Sequence, residues 1–300
     1  MTASGAARSS YTIGFRFQKL IAASAPSAME ISKAQTHAGM IRSRLAQRFQ
    51  VQRVRPIGSH WKGTAIRSFS DVDLLAVMSR EEAKKWARDE HSSTLLIRVR
   101  NDLQGRFPST IVRRDGQACV VNFARGEYAV DIVPAIFGKV SGTVSYYIPN
   151  GDGHWLETFP DAEKRYLQTS QARSGNKLVS LIRLVKWWSC SRAATSGLKS
   201  RYIENFVPRS GVMVGMSYPE ALAHVFSTLN SYGCKPLDDS LGLSDEVTHI
   251  TSTDQQRRTM MDAVEAGADR AARALDAENR GRWKEALHLW SMVFNGQFPS

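Results

Sequence analysis

The stretch that decides the fold runs from residue 58 to residue 75 and reads GSHWKGTAIRSFSDVDLL. It ends in apolar residues that predict a buried strand, with Asp71 and Asp73 at the start of that strand. Because side chains alternate between the two faces of a strand, both aspartates project to one face while Val72 and Leu74 face the core. Two carboxylates at short range raise each other's pKa, and a bound divalent cation removes that conflict. Mg²⁺, a hard ion that prefers carboxylate and phosphate oxygens, is the predicted occupant, with Mn²⁺ as a substitute.

The residues before this strand suit the binding of a phosphate chain. Gly58 lets the backbone approach a triphosphate closely, and Ser59 offers a hydroxyl and an N–H to phosphate oxygens. Two metal ions roughly 4 Å apart can stabilise the attacking and the leaving oxygen of an in-line displacement. Taken singly, either motif favours a plainer alternative, a tight turn followed by a capped strand end. Their combination indicates phosphoryl or nucleotidyl transfer.

A third carboxylate lies far from the first two in sequence. Asp131 stands inside YAVDIVP, residues 128–134, an apolar strand in which a lone aspartate is unfavourable to bury. A metal shared with Asp71 and Asp73 provides the missing partner, if the two strands are adjacent. The alternative is an aspartate on a partly exposed edge strand.

With these residues in view, the chain resembles the polymerase β nucleotidyltransferase superfamily. The resemblance rests on Gly-Ser, then Lys-Gly-Thr-Ala-Ile, then Ser-Asp-Val-Asp-Leu, and covers most of the chain from about residue 11. The branch it most resembles holds oligoadenylate synthetase, cyclic GMP-AMP synthase and the bacterial cGAS/DncV-like nucleotidyltransferases. The resemblance implies that Asp71 and Asp73 hold two metal ions, that Asp131 joins them on the ion activating the attacking hydroxyl, and that Ser59 contacts the donor triphosphate.

The resemblance extends to residues 176–188 of a helix predicted over residues 176–191. It implies donor-phosphate contacts for Lys186 first and Arg183 second, which are three residues apart and can reach one phosphate chain together. The alternative is a solvated basic face on an amphipathic helix. Tyr202 is similar in position to a tyrosine near the donor base in those synthetases, and core packing is an equally good interpretation of this residue.

Composition and charge restrict the class of protein. The 300 residues are 42% hydrophobic and 23% charged, as in globular proteins, and the formal net charge is +12. That excess attracts polyanions without naming them. Three separated cysteines argue against a disulfide framework or a structural zinc site, so we expect a reduced, cytoplasmic setting. We also expect no signal peptide and no membrane association.

The order of the patterns predicts an α+β fold. Residues 1–160 are predicted to form a polymerase β-like nucleotidyltransferase core, a mixed sheet flanked by helices that includes an N-terminal helix. Residues 161–300 are predicted to form a helical, oligoadenylate synthetase-like domain, giving a bilobal molecule with its active site in the cleft. The first dozen residues are expected to be a loose tail, and residues 141–161, with three glycines and two prolines, a long connection.

Three functions are consistent with these residues. The leading hypothesis is a synthase that joins nucleoside triphosphates, ATP among them, into a cyclic second messenger, which in a bacterium implies anti-phage (CBASS) signalling and a regulatory protein partner. The second is a nucleotidyltransferase acting on RNA or another acceptor, although no RRM or KH signature is present. The third is a catalytically dead nucleotide-binding protein, which has no need of three converging aspartates. No DNA activator is expected, because the His/Cys insertion of the vertebrate DNA sensor is missing.

Overall fold

The structure, a computed structural model, describes residues 3–87, 92–123, 128–140 and 142–299. The chain forms two compact units: Pro26–Tyr166, here called the sheet unit, and a helical unit in which helix α1 (Ala3–Ser24) joins the chain from Leu167 onward. This division differs from the predicted one at 160, because the first helix belongs with the helical part. Within the described residues, no helix is long and apolar enough to cross a membrane.

One mixed sheet forms the centre of the sheet unit, as predicted. Its central strands follow the order β1-β2-β5-β4-β3, with β2 and β5 parallel and the other pairs antiparallel. Strand β6 pairs with the far half of β5, and β7 pairs with β6. The strands described are β1 (Val51–Pro56), β2 (Val72–Met78), β3 (Ile111–Asp115), β4 (Ala118–Asn122), β5 (Val130–Val140), β6 (Thr143–Pro149) and β7 (Trp155–Thr158).

The alternation of side chains along β2 separates the two faces of the sheet. Val72 and Leu74 lie in one apolar cluster with residues of two helices, α2 (Ala28–Arg48) and α5 (Ser92–Arg106). The next residues along the strand, Leu75 and Val77, lie in a second cluster on the opposite face. The prediction that Val72 and Leu74 face the core is therefore confirmed, and Asp73 is directed to the face opposite α2 and α5.

Two shorter helices and the beginning of a longer one complete the sheet unit. They are α3 (Gly58–Lys62), α4 (Arg80–Ala87) and α6 (Pro160–Arg173), which continues into the helical unit. The expected long connection over 141–161 is wrong, because β6 and β7 occupy most of it. The β-branched and aromatic residues of β6 extend the pairing of β5. The three glycines lie in turns, Pro149 ends β6 and Pro160 begins α6.

The helical unit is built around a single apolar core. Its described α-helices are α1, α7 (Leu178–Cys190), α8 (Ser200–Phe206), α9 (Tyr218–Tyr232), α10 (Asp254–Asn279) and α11 (Trp283–Val293). The expected loose tail is wrong from Ala3 onward, because α1 begins there. Ile13, Phe17 and Leu20 recur on one face of α1 and are completely or almost completely buried in this core, which gives the helix its tertiary support.

Candidate active site

The strand pairing places the predicted carboxylates next to each other. In the parallel ladder of β2 and β5, Asp73 is directly opposite Asp131. Residues opposite each other on neighbouring strands lie about 4.8 Å apart along the ladder and point to the same face. Asp71 immediately precedes β2, two residues from Asp73. The prediction that Asp131 lies on a strand adjacent to that of Asp73 is confirmed, and the alternative of an edge strand is wrong, since β5 has β2 on one side and β4 on the other.

Asp131 carries a carboxylate that the protein leaves unsatisfied. Its Oδ1 atom is buried and has no hydrogen-bond partner in the part of the chain described. Desolvation raises its pKa to about 6, with further increases from the charges of Asp71 and Asp115, while Arg113 acts in the opposite direction. A buried carboxylate oxygen without a donor is unfavourable unless a ligand compensates it.

Asp71 is held at the entrance of β2 by the segment that leads into β5. The Ala129 N–H donates to the Asp71 carboxylate, and the Ala129 carbonyl accepts from the Val72 N–H at 3.0 Å. The pKa of Asp71 is raised, chiefly by desolvation, although the residue keeps an exposed surface. Arg113 and His60 partly offset that shift.

The glycine of the Gly-Ser motif fits closely against this acidic group. Gly58 begins α3 with a φ of 63°, a left-handed conformation that favours glycine. A Cβ atom at this position would overlap the carboxylate of Asp73. The Ile57 N–H also donates to the Asp73 carbonyl at 2.9 Å, so the motif is fixed directly beside β2. Ser59 follows in the first turn of α3, where backbone N–H groups have no intrahelical acceptor.

Helix α3 is anchored at its other end by strand β1 and by the beginning of α6. The Trp61 ring lies 4.4 Å from the Arg55 guanidinium carbon and 4.1 Å from Lys164 Nζ, which are cation–π distances. Lys62 Nζ pairs with Glu163 at 2.7 Å. These contacts hold the short helix that carries Ser59 in place within the sheet unit.

Sequence reasoning missed three residues of this neighbourhood. His60 Nε2 lies 3.1 Å from the Ser70 carbonyl oxygen, next to Asp71. Tyr128 donates to Glu30 and accepts from the Ser68 N–H at 3.0 Å, tying the loop before Asp71 to α2. Arg113 lies on β3 and acts electrostatically on Asp71 and Asp131. Only Arg113 had a usable signal: Gly116-Gln117 is a two-residue hairpin turn that opens with a glycine of positive φ and sets the register of β3 against β4.

The donor set fits a divalent cation. Carboxylate oxygens are what Mg²⁺ and Mn²⁺ prefer, and the unsatisfied Asp131 Oδ1 faces the same side of the sheet as Asp73. Within the described residues, no group of three or more His, Cys, Asp or Glu side chains lies close enough together to hold a metal ion. Asp73 and Asp131 are opposite each other on the backbone of neighbouring strands, which makes them candidate ligands of one ion.

The predicted nucleotide-binding residues of α7, Lys186 and Arg183, lie in the helical unit and are buried or partly buried. Lys186 is 1% exposed, and its Nζ is 2.6 Å from Glu204 Oε1. The ammonium is thus buried in an ion pair, which is not the exposed basic group that the phosphate role requires. Arg183 is partly buried, and desolvation lowers its pKa. Phosphate binding by Lys186 and Arg183 stays a prediction that this geometry does not support for Lys186.

Tyr202 is packed in the core of the helical unit. It is 1% exposed, its ring stacks on Phe206 with centroids 6.0 Å apart, and its hydroxyl donates to the Lys235 carbonyl at 2.7 Å. Burial raises its pKa. The geometry favours the core-packing interpretation over contact with a base.

The chain is similar in sequence to a known domain family and to bacterial proteins. The profile of the Second Messenger Oligonucleotide or Dinucleotide Synthetase domain matches residues 12–170. A probable cyclic nucleotide synthase of Bacillus cereus strain VD146 is 24% identical over 279 residues, covering 81% of this chain and 81% of that protein. The cyclic AMP-AMP-AMP synthase of Escherichia coli strain MS 115-1 is 25% identical over 276 residues, covering 83% and 84%.

Comparison with solved structures gives the same fold. The E. coli MS115-1 CdnC in complex with HORMA-deltaN has a TM-score of 0.69 at 21% identity, covering 95% of this chain and 96% of that one. The Vibrio cholerae DncV cyclic AMP-GMP synthase, in complex with the linear intermediate 5′ pppA(3′,5′)pG, has a TM-score of 0.67 at 15% identity, covering 83% and 70%. At these identities the likeness is one of fold.

Proposed function

The chain belongs to the Second Messenger Oligonucleotide or Dinucleotide Synthetase family, and from that membership we propose that it condenses ribonucleoside triphosphates into a cyclic di- or trinucleotide with release of pyrophosphate. The observation that carries the proposal is the direct pairing of Asp73 with Asp131 beside the Gly58 turn, with one buried oxygen of Asp131 left without a partner. Nucleotidyl transfer needs such a group of carboxylates, because they hold the divalent ions that stabilise the reacting oxygens.

Each condensation forms one bond and breaks one. A ribose hydroxyl of the acceptor attacks the α-phosphorus of the donor, the phosphodiester bond forms, and the bond to pyrophosphate breaks, with the hydroxyl proton lost to solvent. When bound, two divalent ions supply stabilisation of the charge on the attacking and leaving oxygens. Asp71, Asp73 and Asp131 are the residues that would hold them, and Mg²⁺ or Mn²⁺ suits these ligands.

The chain's own residues bind and orient the substrates. The first turn of α3 presents Ser59 and backbone N–H groups that suit the donor triphosphate. Gly58 brings that turn against Asp73, so donor phosphates bound there are next to the acidic group. Asp131 lies opposite Asp73 on the neighbouring strand β5, and its proposed role is to orient the acceptor hydroxyl.

The substrates and setting are further parts of the proposal. ATP is proposed as one substrate, since the E. coli relative is named a cyclic AMP-AMP-AMP synthase. A regulatory protein partner is proposed because the structurally similar CdnC was solved in complex with HORMA-deltaN. We place the protein in bacterial anti-phage (CBASS) signalling. We also propose a cytoplasmic setting, which is supported by three cysteines that form no disulfide, Cys119, Cys190 and Cys234.

The test is incubation of the purified protein with all four ribonucleoside triphosphates and Mg²⁺ or Mn²⁺, followed by phosphatase treatment and mass spectrometry. A phosphatase-resistant cyclic product is expected. Asp73→Asn and Asp131→Asn should each lower its rate by at least about 1,000-fold, because several kcal/mol of charge stabilisation are lost.

The matched control is Asp269→Asn, which removes an exposed carboxylate on α10 and should keep full activity. Equal activity of the wild type and both site variants would overturn the assignment of the aspartates. If the wild type makes no product from triphosphates alone but extends added RNA with one nucleotide, the second hypothesis replaces the first.

A further inference from the structure

Arg113 lies on the face of the sheet that carries Asp73 and Asp131, and it has no role in the reaction proposed above. On β3 it is directly opposite Val120 of β4, and Val120 is directly opposite Asp131 of β5. Asp131 in turn faces Asp73. Residues opposite each other in a ladder share a face, so the Arg113 side chain lies on the same side of the sheet as the two aspartates.

The spacing of the strands brings the guanidinium within reach of a substrate at Asp131. Two steps of about 4.8 Å separate the backbones of β3 and β5, and Val120 between them is a short side chain. The charge of Arg113 lowers the pKa of both Asp71 and Asp131, which agrees with this placement.

Arg113 is also available to a ligand. Its side chain is 51% exposed, and its partner Asp115 is 60% exposed on the same strand. An ion pair between such exposed groups contributes little free energy, so a phosphate can replace Asp115 at small cost. An arginine also binds a phosphate group through two parallel N–H donors, which a lysine does not.

Different nucleotide-binding groups lie on the two sides of the aspartates Asp73 and Asp131. The Gly58-Ser59 turn adjoins Asp73 on β2, whereas Arg113 lies beyond Asp131, across β4. A donor triphosphate on the α3 side leaves the Arg113 side for the nucleotide whose hydroxyl attacks. We propose that Arg113 binds the 5′-phosphate chain of the acceptor nucleotide; this inference rests on the proposed function and extends it to acceptor selection.

The test separates donor from acceptor chemically. The donor is 2′,3′-dideoxy-ATP, which has no hydroxyl to act as an acceptor. The acceptor is either α,β-methylene-ATP, which has a triphosphate that does not donate, or adenosine, which has no phosphate. The ratio of kcat/KM for the two acceptors measures how strongly the enzyme uses the acceptor phosphates.

We expect the wild type to prefer α,β-methylene-ATP, and Arg113→Ala to reduce that preference by about 10- to 100-fold, the range for loss of hydrogen bonds to a charged group. The KM for the donor should stay within about twofold, and Arg113→Lys should recover part of the preference. The matched control is Arg114→Ala. This neighbouring arginine is opposite Cys119, so it points to the other face of the sheet, and its loss should leave the preference unchanged.

The outcomes separate this inference from the function on which it rests. An active wild type whose acceptor preference survives Arg113→Ala overturns the inference alone, as does an equal loss in Arg114→Ala. A wild type that is silent with both acceptors and with the ordinary triphosphates overturns the proposed function, and the role of Arg113 falls with it.

Discussion

The carboxylate of Asp131 on β5 and the ammonium of Lys186 on α7 differ in whether the protein supplies a partner for the charged group. At the acidic end, Asp131 has a buried oxygen without a partner, and the pKa values of Asp71 and Asp131 are raised. On α7, Lys186 is more deeply buried, yet its ammonium is paired with Glu204 at 2.6 Å. An unsatisfied charge has free energy to gain from a ligand, whereas a satisfied one has already gained it within the fold. We therefore expect the aspartates to bind a ligand and Lys186 to serve the structure of the helical unit.

Breaking the Lys186–Glu204 pair is the largest expected effect on stability. Lys186→Met leaves a carboxylate that is 8% exposed without its ammonium, which should lower the free energy of unfolding by about 3–5 kcal/mol. Denaturant unfolding monitored by tryptophan fluorescence measures the loss. Lys186→Met combined with Glu204→Gln removes both charges and should recover most of it.

The double variant also tests the role of Lys186 in function. If Lys186 is structural, the refolded double variant should retain nucleotide condensation within a few-fold. A normally stable double variant whose KM for ATP rises by about 10-fold or more, as for a lost charged hydrogen bond, would return Lys186 to the phosphate site.

The close contact between Gly58 and Asp73 should be the next most sensitive point. Gly58→Ala places a Cβ in the space of the Asp73 carboxylate at a φ of 63° and must displace that group. A displacement near 1 Å in a catalytic constellation can lower the rate by about 100-fold. Steady-state kinetics of condensation measure this effect.

Gly233→Ala is the matched control for the backbone conformation. Gly233 has a φ of 68° at the end of α9, and a Cβ there meets no atom within 4 Å. Both variants should lose about 1–2 kcal/mol of stability from the left-handed conformation, but only Gly58→Ala should lose activity. Equal activity losses in the two would show that the contact with Asp73 is irrelevant.

The positions of the aspartates in the sheet could be predicted from the sequence, whereas the buried ion pair of Lys186 in the helical unit could not. The period-two alternation at Asp71 and Asp73 fixes which face the carboxylates take, and an aspartate inside an apolar run, Asp131, indicates a neighbouring strand. On α7, helical spacing alone does not distinguish a solvated basic face from a buried ion pair. The partner Glu204 lies 18 residues away on another helix, and only the tertiary structure brings it to Lys186.

Two parts of the fold could not be predicted from the sequence, for related reasons. In residues 141–161 the glycines and prolines favour a loop, but pairing with the long β5 stabilises β6 against that local preference. In the first dozen residues the small polar composition suggests a tail, but burial of Ile13 and Phe17 further along supports one continuous helix. Both are cases in which tertiary contacts decide the local conformation.

The unsatisfied state of Asp131 predicts a pH dependence of stability in the metal-free protein. A carboxyl group with a pKa of about 6 when folded and about 3.9 when unfolded binds its proton more tightly in the folded state. Stability should therefore fall as pH rises from about 4 to 6 and remain low above that range. Asp131→Asn removes this loss, so it should exceed the wild type by about 1–3 kcal/mol at pH 7.5 and by almost nothing at pH 4.

Thermal or denaturant unfolding in the presence of a chelator measures this difference across pH. Adding Mg²⁺ or Mn²⁺ at pH 7.5 should stabilise the wild type more than Asp131→Asn, because the variant keeps only Asp71 and Asp73 as carboxylate ligands for the cation. A wild type that is the more stable protein at pH 7.5 without metal would contradict the assignment of an unsatisfied charge.

The smallest expected effect is at Tyr202, a second buried and hydrogen-bonded group of the helical unit. Tyr202→Phe removes one buried hydrogen bond to the Lys235 carbonyl and keeps the stacking on Phe206, so stability should fall by about 1 kcal/mol. Tyr232→Phe, which removes a similar hydroxyl contact to Pro236 at a residue 37% exposed, should cost less because water replaces the bond. Neither variant should change the KM for ATP. A tenfold rise in KM confined to Tyr202→Phe would mean that this hydroxyl serves a nucleotide, and that a satisfied, buried group in the helical unit can still belong to the site.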